Sequence, residues 1–259
     1  MDIKPKYSAE TVLITGSSSG IGYALAEIFA KHGCTLILSA SHLPQLEEAA
    51  RELSTYHVPV SLFPADLAEA GAAEKLYQSV KEAGFSPDIL VNNAGFGLIG
   101  PADQLPMSQE LEQLTVNILS LTALCKCFLP DLYRQGRGKI LNVASTGAFQ
   151  PGPYTASYFA SKAYVYSYSR ALHQEAKAHG VQVCTLCPGS TRTDFFRRAG
   201  VKTPALAMDP KVVAEYAYHS LMAGRAVAIP GLLNRLVRLV PAAVKLRVVG
   251  RIKGSASGL

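Results

Sequence analysis

The sequence predicts an α/β domain: a doubly wound parallel sheet of about seven strands with helices on both faces. Short β-branched, apolar runs alternate with helix-like segments from residue 11 onward, and such alternation produces right-handed crossovers and a parallel sheet. At 259 residues with 49% hydrophobic content, the chain can bury one large core. It has no internal repeat, low-complexity block or long linker, so we expect a single domain.

The first strand-like run is TVLIT at 11–15, and a Gly/Ser turn separates it from an amphipathic helix over 21–31. The pattern then repeats, with strands expected at 34–39, 58–63, 88–92, 138–144, 181–187 and 226–229. Helices are expected at 43–54, 69–83, 108–134, 157–179 and 211–223. The domain is placed at 1–231, followed by a basic, apolar C-terminal extension at 232–259.

The composition narrows the class of protein. No run of 18 or more uncharged apolar residues exists and the first ten residues are polar, which predicts neither a spanning helix nor a secretory peptide and favours the cytoplasm. Five scattered cysteines are typical of reduced thiols. Cys184 and Cys187 form a CxxC inside a strand-like run, so we interpret them as buried strand thiols, against the alternative of a redox or metal site.

The turn TGSSSGIG at 15–22 joins the first strand to the first helix. Gly16 permits a tight turn, Gly20 lets the backbone approach a pyrophosphate, and Gly22 allows the helix to pack closely on the strand. This placement predicts a dinucleotide site of the Rossmann type, although the spacing is GxxxGxG. The alternative is a flexible Gly/Ser loop.

Tyr158 and Lys162 are four residues apart in a segment without Pro or Gly, so on a helix their side chains share one face. An ammonium beside a phenol lowers its pKa, which suits Tyr158 to proton transfer. Ser145 follows an apolar run and is expected at the carboxyl end of a strand, where its hydroxyl can bond the same substrate oxygen. Tyr77 and Lys81 share the YxxxK spacing, but they are interpreted as a solvated helix face.

Taken together, these motifs resemble the classical short-chain dehydrogenase/reductase family over roughly residues 10 to 230. The matching positions are TGSSSGIG, Asp66, NNAG at 92–95, Asn117, Ser145, Tyr158, Lys162 and PGSTRT at 188–193. The resemblance implies that Tyr158 donates a proton to a carbonyl, that Ser145 orients its oxygen, and that Lys162 lowers the tyrosine pKa and holds the nicotinamide ribose. It implies that Asn117 holds a water linked to Lys162; alone, Asn117 would be a buried, satisfied amide.

The resemblance also implies which residues contact a dinucleotide, with Asn93 to Gly95 beside the adenosine and Asp66 at the adenine amino group. Asp66 has the alternative role of a helix cap, and Pro188 to Thr193 that of an ordinary loop. The implied cofactor positions are Gly16, Ser18, Ser19, Gly20, Ile21, Gly22, Ser41, Asp66, Leu67, Asn93, Ala94, Gly95, Tyr158, Lys162, Pro188, Gly189, Thr191 and Thr193.

Ala40 stands at the end of the second strand, where a carboxylate would select NAD. Serines at 19 and 41 replace the arginine often found in NADP enzymes, which leaves Ser41 and His42 to meet a 2′-phosphate. We therefore expect NADP, with NAD open. The expected enzyme reduces a ketone or aldehyde; an NAD-dependent secondary-alcohol dehydrogenase and a non-catalytic nucleotide-binding regulator are the alternatives.

The expected substrate loop is 190–210, whose adjacent aromatics favour an apolar carbonyl or alcohol substrate. A homodimer or homotetramer is expected through helices near 108–134 and 157–179. Residues 216–259 carry seven cations and no acid. This extension is compatible with four roles: peripheral membrane contact, closure over an acyl substrate, subunit packing, or a solvated cap on the domain. Nucleic acid is disfavoured because aliphatics separate the cations and no aromatic follows Tyr218.

Overall fold

A computed structural model of the chain describes residues 10–237, 240, 245, 246 and 249. In this part of the chain, seven parallel strands form one sheet in the order β3-β2-β1-β4-β5-β6-β7. The strands are β1 Thr11–Thr15, β2 Thr35–Ser39, β3 Val60–Leu62, β4 Ile89–Asn92, β5 Gly138–Val143, β6 Val181–Leu186 and β7 Val227–Ala228. The predicted doubly wound parallel fold is confirmed.

Helices connect the strands and cover both faces of the sheet. They are α1 Gly20–Lys31, α2 Leu43–Leu53, α3 Ala72–Glu82, α4 Met107–Leu114, α5 Leu121–Gln135, α6 Ala156–Lys177, α7 Phe195–Arg198, α8 Pro210–Met222 and α9 Leu232–Val237. One core cluster includes α1, α8 and one face of β1, and the other includes α3, α5, α6 and the opposite face. Val12, Leu13 and Ile14 are wholly buried, as a central strand covered on both faces requires.

Most predicted elements agree with the structure to within two residues at each end, and three of the differences are informative. The helix expected at 69–83 begins at Ala72, because Gly71 adopts a left-handed conformation with φ of 76°. The edge strand expected at 58–63 is limited to Val60–Leu62, whose residues are only half-buried. The helix expected at 108–134 contains a π-helical turn, Thr115–Ser120, which is discussed with the site.

The continuous helical segment Met107–Gln135 is long and apolar enough to cross a membrane by length and composition alone. Half of its most apolar window is nevertheless buried inside the protein. Leu124, Cys125 and Phe128 are almost fully buried in the core beneath the sheet. The segment therefore packs as a core helix of the α/β domain.

The second YxxxK pair lies on α3 and binds a carboxylate of α5. Tyr77 donates a hydrogen bond to Asp131 at 3.0 Å, and Lys81 forms an ion pair with Asp131 at 2.9 Å. Arg134 pairs with the other oxygen of the same carboxylate at 3.0 Å. Tyr77 and Lys81 thus stabilise the packing of two helices, which the interpretation as a purely solvated face missed because Asp131 is remote in sequence.

The C-terminal extension contacts the domain through polar side chains. The Asn234 amide donates to the Pro230 carbonyl at 2.7 Å, and Arg235 donates to the Ile229 carbonyl at 3.0 Å. The buried Lys245 donates to the Phe149 carbonyl at 2.9 Å. The extension begins with the short helix α9, and most of residues 238–259 lie outside the described residues.

Asp131→Asn is expected to lower the free energy of unfolding by about 1–3 kcal/mol at pH 7, because the charge-assisted bonds from Tyr77, Lys81 and Arg134 weaken. Burial, which raises the pKa of Asp131, is outweighed by hydrogen bonds from Lys81, Tyr77 and Arg134, so the pKa lies below its ordinary value. A depressed pKa stabilises the fold above the unfolded value of about 4, and the effect is lost as the pH falls through the folded pKa.

Urea denaturation of wild type and Asp131→Asn at pH 7 and pH 3 therefore measures a difference that shrinks on acidification. The exposed Asp103→Asn is the control and should differ from wild type at neither pH. Equal stability of Asp131→Asn and wild type at pH 7 would contradict this account of the cluster.

Candidate active site

A cleft of about 600 Å³ opens at the carboxyl ends of the strands. The chain turns to opposite sides after β1 and β4, which lie side by side, so the cleft occupies the point where an open α/β sheet binds ligands. The predicted site residues line this cleft except His42, Gly22 and Asn117, of which Gly22 and Asn117 are buried. Residues from seven separate stretches of sequence therefore come together in one cleft.

The glycine turn has a conformation and a packing density that only glycine allows at two points. Gly16 and Gly20 have φ of 62° and 59°, in the left-handed region. A Cβ on Gly22 would lie 2.1 Å from the Gly16 carbonyl oxygen, so α1 packs directly on the turn. The first amides of α1 consequently face the cleft, as binding of a pyrophosphate requires.

The Asn93 side chain holds the glycine turn against β4. Its amide donates to the carbonyls of Thr15 and Gly16, both at 3.0 Å. In return the Thr15 hydroxyl accepts hydrogen bonds from the backbone amides of Asn93 and Ala94 at 3.1 Å. Thr15 was not predicted as a site residue, because a threonine at the end of a strand carries no sequence signal of this role.

The end of β2 borders the cleft with small and hydroxyl-bearing residues. Ala40, Ser41 and Gln45 line this region, and the Ser41 hydroxyl bonds the His42 ring at 2.8 Å. Among the described residues lining the cleft here, none carries a carboxylate that would oppose a 2′-phosphate.

Asp66 lines the cleft where β3 leads into the next turn. One of its carboxylate oxygens accepts a hydrogen bond from the Ala68 amide at 3.0 Å, which closes the turn at 66–68. Asp66 does not cap a helix, because α3 begins only at Ala72 with Gly71 as its N-cap.

Tyr158 and Lys162 lie one turn apart on α6 and both face the cleft. The Lys162 ammonium is 5.8 Å from the centre of the Tyr158 ring and donates to the Val143 carbonyl at 2.9 Å. Ser145 follows β5, and its hydroxyl accepts from the Gly147 amide at 3.0 Å and bonds Tyr158. A hydroxyl, a phenol and an ammonium thus meet at one point.

The ionisation of the pair differs from the sequence expectation. Burial raises the pKa of Tyr158 to about 12, opposed by the hydrogen bond from Ser145, and Lys162 is not among the groups that lower this pKa. Burial also lowers the pKa of Lys162 to about 8, and the nearby Cys187 opposes that shift. At neutral pH Tyr158 therefore carries its proton, as a proton donor must.

Asn117 lies in the π-helical turn Thr115–Ser120 and is fully buried. Its amide nitrogen donates to the Phe96 carbonyl at 2.9 Å and the Ser161 hydroxyl at 3.0 Å, and its oxygen accepts from the Phe96 amide at 3.2 Å. A Cβ on Gly95 would lie 2.7 Å from the Asn117 oxygen and 3.2 Å from the Lys162 ammonium. The turn thereby brings Asn117 beside Lys162, which straight helical periodicity does not predict.

The loop after β6 closes over Tyr158. Thr191 and Thr193 line the cleft, and Phe195 on α7 lies with its ring centre 5.2 Å from that of Tyr158. A Cβ on Gly97 would approach Phe195 to 2.7 Å, so a small residue there lets the aromatic ring approach. The result is an apolar wall next to the phenol.

Several cleft residues were not singled out from the sequence. They are Gln45, Phe96, Glu112, Val116, Gln150, Phe159, Phe196 and Arg198, and they mainly line the half of the cleft beyond Tyr158 or its rim. Adjacent phenylalanines in the substrate loop were the available signal for Phe195 and Phe196. The others lie on loops and helices that reach the cleft only through the packing of distant segments, so no local sequence signal indicates them.

The buried CxxC differs from a reactive motif. Cys184 and Cys187 are both buried at β6 and its end, and burial raises the pKa of Cys184 to about 12. A thiol with so high a pKa is a poor nucleophile and metal ligand. The interpretation as buried strand thiols agrees with this placement.

Comparison with known proteins places these features in a family. A family model described as short chain dehydrogenase matches residues 10–203. Hydroxysteroid dehydrogenase-like protein 1 of Gallus gallus is 34% identical over 226 residues, which cover 85% of this chain and 67% of that protein.

Two solved structures share both the fold and part of the sequence. A short-chain dehydrogenase from Sphingobium yanoikuyae in complex with NADPH is 31% identical, with a TM-score of 0.82 over 96% of each chain. The bulky-bulky ketone specific alcohol dehydrogenase from Comamonas testosteroni is 27% identical, with a TM-score of 0.79 over 98% of this chain and 96% of that one.

Lys162→Met is expected to make the protein more stable at pH 7. Burial moves the pKa of Lys162 from 10.5 to about 8, which corresponds to a cost of about 3 kcal/mol for the charged form below pH 8. Loss of the hydrogen bond to Val143 offsets about 1 kcal/mol, so we expect a net gain of about 2 kcal/mol.

The sign of this effect depends on pH. Between pH 8 and 10.5 the unfolded state binds more protons at this lysine, so the wild type gains stability as the pH rises and the advantage of Lys162→Met disappears. Urea denaturation at pH 7 and 10.5 measures both values. Lys81→Met, which loses the ion pair with the buried Asp131, should not be stabilised. A Lys162→Met protein that is less stable than wild type at pH 7 would contradict the prediction.

Proposed function

The chain belongs to the short-chain dehydrogenase family, and we propose that this oxidoreductase reduces a ketone or aldehyde of an apolar substrate with NADPH. The observation that carries the proposal is the meeting of Ser145, Tyr158 and Lys162 in the cleft that also contains the glycine turn. A hydroxyl, a protonated phenol and an ammonium at one point suit protonation of a carbonyl oxygen.

The residues present fit a nicotinamide dinucleotide. The left-handed Gly16 and Gly20 and the direct packing of Gly22 leave a cradle that a Cβ would fill. The turn and the start of α1 would hold the pyrophosphate, Asp66 and the 93–95 segment the adenosine, and Pro188, Gly189, Thr191 and Thr193 the nicotinamide side. When bound, the cofactor supplies the hydride.

Tyr158 is the proposed general acid. It holds its proton at neutral pH because burial raises its pKa, and the Ser145 hydroxyl bonded to it can share the substrate oxygen. Lys162 is largely protonated at pH 7, since its pKa is about 8. Its charge faces the cleft and would stabilise the phenolate that Tyr158 becomes after it gives up the proton.

Asn117 is proposed to connect Lys162 with solvent through a water. Its side-chain amide is already engaged by Phe96 and Ser161, so we assign the water to its main-chain carbonyl. The π-helical turn supports this assignment, because such turns interrupt the regular pattern of carbonyl acceptors and often occur at functional sites. Reprotonation of Tyr158 would follow this route.

NADPH is proposed over NADH because Ala40 and Ser41 stand where a carboxylate would repel the 2′-phosphate. The Sphingobium relative in complex with NADPH supports this choice. An NAD-dependent secondary-alcohol dehydrogenase is the second candidate, since no arginine stands at 19 or 41. A non-catalytic regulator has no need of the complete set of Asn117, Ser145, Tyr158 and Lys162.

The substrate is proposed to be apolar and bulky. Phe96, Phe159, Phe195 and Phe196 line the cleft, and Arg198 is at its exposed rim. The Comamonas relative, described as specific for bulky-bulky ketones, supports the class. The same proposal places the catalytic domain at 1–231 with its substrate loop at 190–210.

We further propose a cytoplasmic homodimer or homotetramer. Met107, Leu111 and Leu119 are more than half exposed along α4 and the π-helical turn, and Tyr164 on α6 is partly exposed. The Tyr164 hydroxyl bonds Thr122 at 3.1 Å, so these helices form one surface. Apolar side chains of this size on adjacent helices are typical of a subunit interface.

Tyr158→Phe is expected to lower the turnover number for every active ketone by about 10²–10⁴-fold, because it removes the proton donor and keeps the ring. The glycine turn is untouched, so NADPH should still bind, measured by quenching or enhancement of nicotinamide fluorescence. Tyr77→Phe removes the phenol of the second YxxxK pair and serves as the control. Full turnover by Tyr158→Phe would overturn the assignment.

Ala40→Asp is expected to reverse or erase a preference for NADPH in kcat/KM. The neutral hydrogen bonds available to a 2′-phosphate are worth about 1–2 kcal/mol, so the preference of the unmodified protein should be roughly 5–30-fold. The carboxylate would repel the 2′-phosphate and bond a ribose 2′-hydroxyl. Ala40→Asn introduces a side chain of nearly the same size as Asp but without its charge. Comparing the two variants separates charge repulsion of the 2′-phosphate from steric crowding. Equal use of NADH by the wild type would contradict the proposal.

A further inference from the structure

Helix α9 presents its polar side chains to the protein and its leucines to solvent. Asn234 donates to the Pro230 carbonyl and lies against Gly189, while Arg235 donates to the Ile229 carbonyl and to the Tyr216 hydroxyl at 2.7 Å. Leu232, Leu233 and Leu236 are 76%, 64% and 61% exposed, and together they form the α9 apolar face. A helix on the surface of a protein in water shows the opposite arrangement.

The apolar surface continues beyond this helix. Leu206 is 88% exposed, and its neighbour Met208 contacts both Asn234 and Gly231, which places it on the same side. Val240 and Leu246 are also exposed. Single exposed leucines are ordinary, but a cluster of this kind marks a surface that contacts another apolar phase.

The charge of the same segment identifies that phase. Residues 232–259 contain Arg235, Arg238, Lys245, Arg247, Arg251 and Lys253 and no acid. The other 231 residues hold 19 cations and 19 acids, so the whole formal charge of +6 belongs to this segment. Arg235 and Lys245 bond groups of the protein, and the other four cations lie outside the described residues. A sequence that combines cations with exposed leucines suits an anionic lipid surface, where both are stabilised.

We propose that the α9 apolar face and the cations of 232–259 dock the protein on an anionic lipid bilayer. A second copy of this chain is a poorer occupant, because an isologous contact would oppose two segments of +6. A neutral apolar groove on another protein would bury the leucines but give the cations no partner of opposite charge. An anionic bilayer would bury the leucines and also attract the cations.

The docked orientation follows from the contacts of α9. Asn234 packs on Gly189, which lines the cleft, and the Lys245 ammonium donates to the Phe149 carbonyl of the 3₁₀ turn after Ser145. The face is therefore held beside the cleft by fixed hydrogen bonds. A protein bound through it would turn this side of the cleft toward the lipid, independently of the reaction that takes place there.

The test is cosedimentation of the full chain with vesicles of phosphatidylcholine, with and without phosphatidylglycerol, at low salt. Binding is expected only with the anionic lipid and should weaken as salt screens the charges. Leu232→Ser/Leu233→Ser/Leu236→Ser should lower the partition coefficient at least about 10-fold, since it removes the inserted apolar area. Arg238→Gln/Arg251→Gln/Lys253→Gln should lower it independently.

Leu43→Ser removes an exposed apolar side chain from α2 and is the control, expected to bind as wild type. Thermal unfolding and light scattering of each variant establish its folding and its oligomeric state. The proposal is overturned if anionic vesicles do not bind the wild type at low salt, if the leucine variant binds equally well, or if that variant loses an oligomer instead of lipid.

Discussion

The packing of α1 directly on the glycine turn is the constraint on which the site depends. A Cβ on Gly22 would meet the Gly16 carbonyl at 2.1 Å, and the Asn93 amide that bonds this carbonyl leaves no room for the turn to move. Because Asn93 follows β4 and Thr15 ends β1, one set of hydrogen bonds fixes both sides of the place where the chain changes direction. The cleft forms there because β1 and β4 are neighbours from which the connections depart to opposite sides.

A buried ammonium is the second requirement, and it acts against stability. Lys162 is 4% exposed, and its hydrogen bond to the Val143 carbonyl satisfies only one of its three protons in the described structure. Burial lowers the pKa of Lys162 and raises that of Tyr158, so both shifts oppose charge inside the cleft. The same low-polarity surroundings strengthen any interaction with charge that develops during a reaction. Burying the Lys162 ammonium therefore lowers the stability of the fold, but it keeps a positive charge near the Tyr158 phenol.

Much of the fold and the site could be predicted from the sequence, because the signals for them are local in the chain. Strand runs, the glycine turn and the four-residue spacing of Tyr158 and Lys162 each lie within one short segment. What was not predicted involves pairs far apart in the chain: Asp131 with Lys81, Thr15 with Asn93, and Phe195 with Tyr158. The π-helical turn at Asn117 is a different case, since it shifts the helical register without any change in residue type. The roles of the site residues stay predictions, whereas their convergence in one cleft is a structural fact.

The C-terminal extension shows why a domain boundary drawn from composition is only a starting point. Its basic, apolar sequence separates it from the sheet, yet Asn234 packs against Gly189 and Lys245 bonds the turn that follows Ser145. These contacts use polar groups of the extension, and Leu232, Leu233, Leu236 and Leu246 are left exposed. A segment that merely capped the sheet would bury such leucines. The reversed arrangement ties the edge of the cleft to whatever the leucines contact, and the acid-free charge of the segment makes anionic lipid the contact that satisfies both.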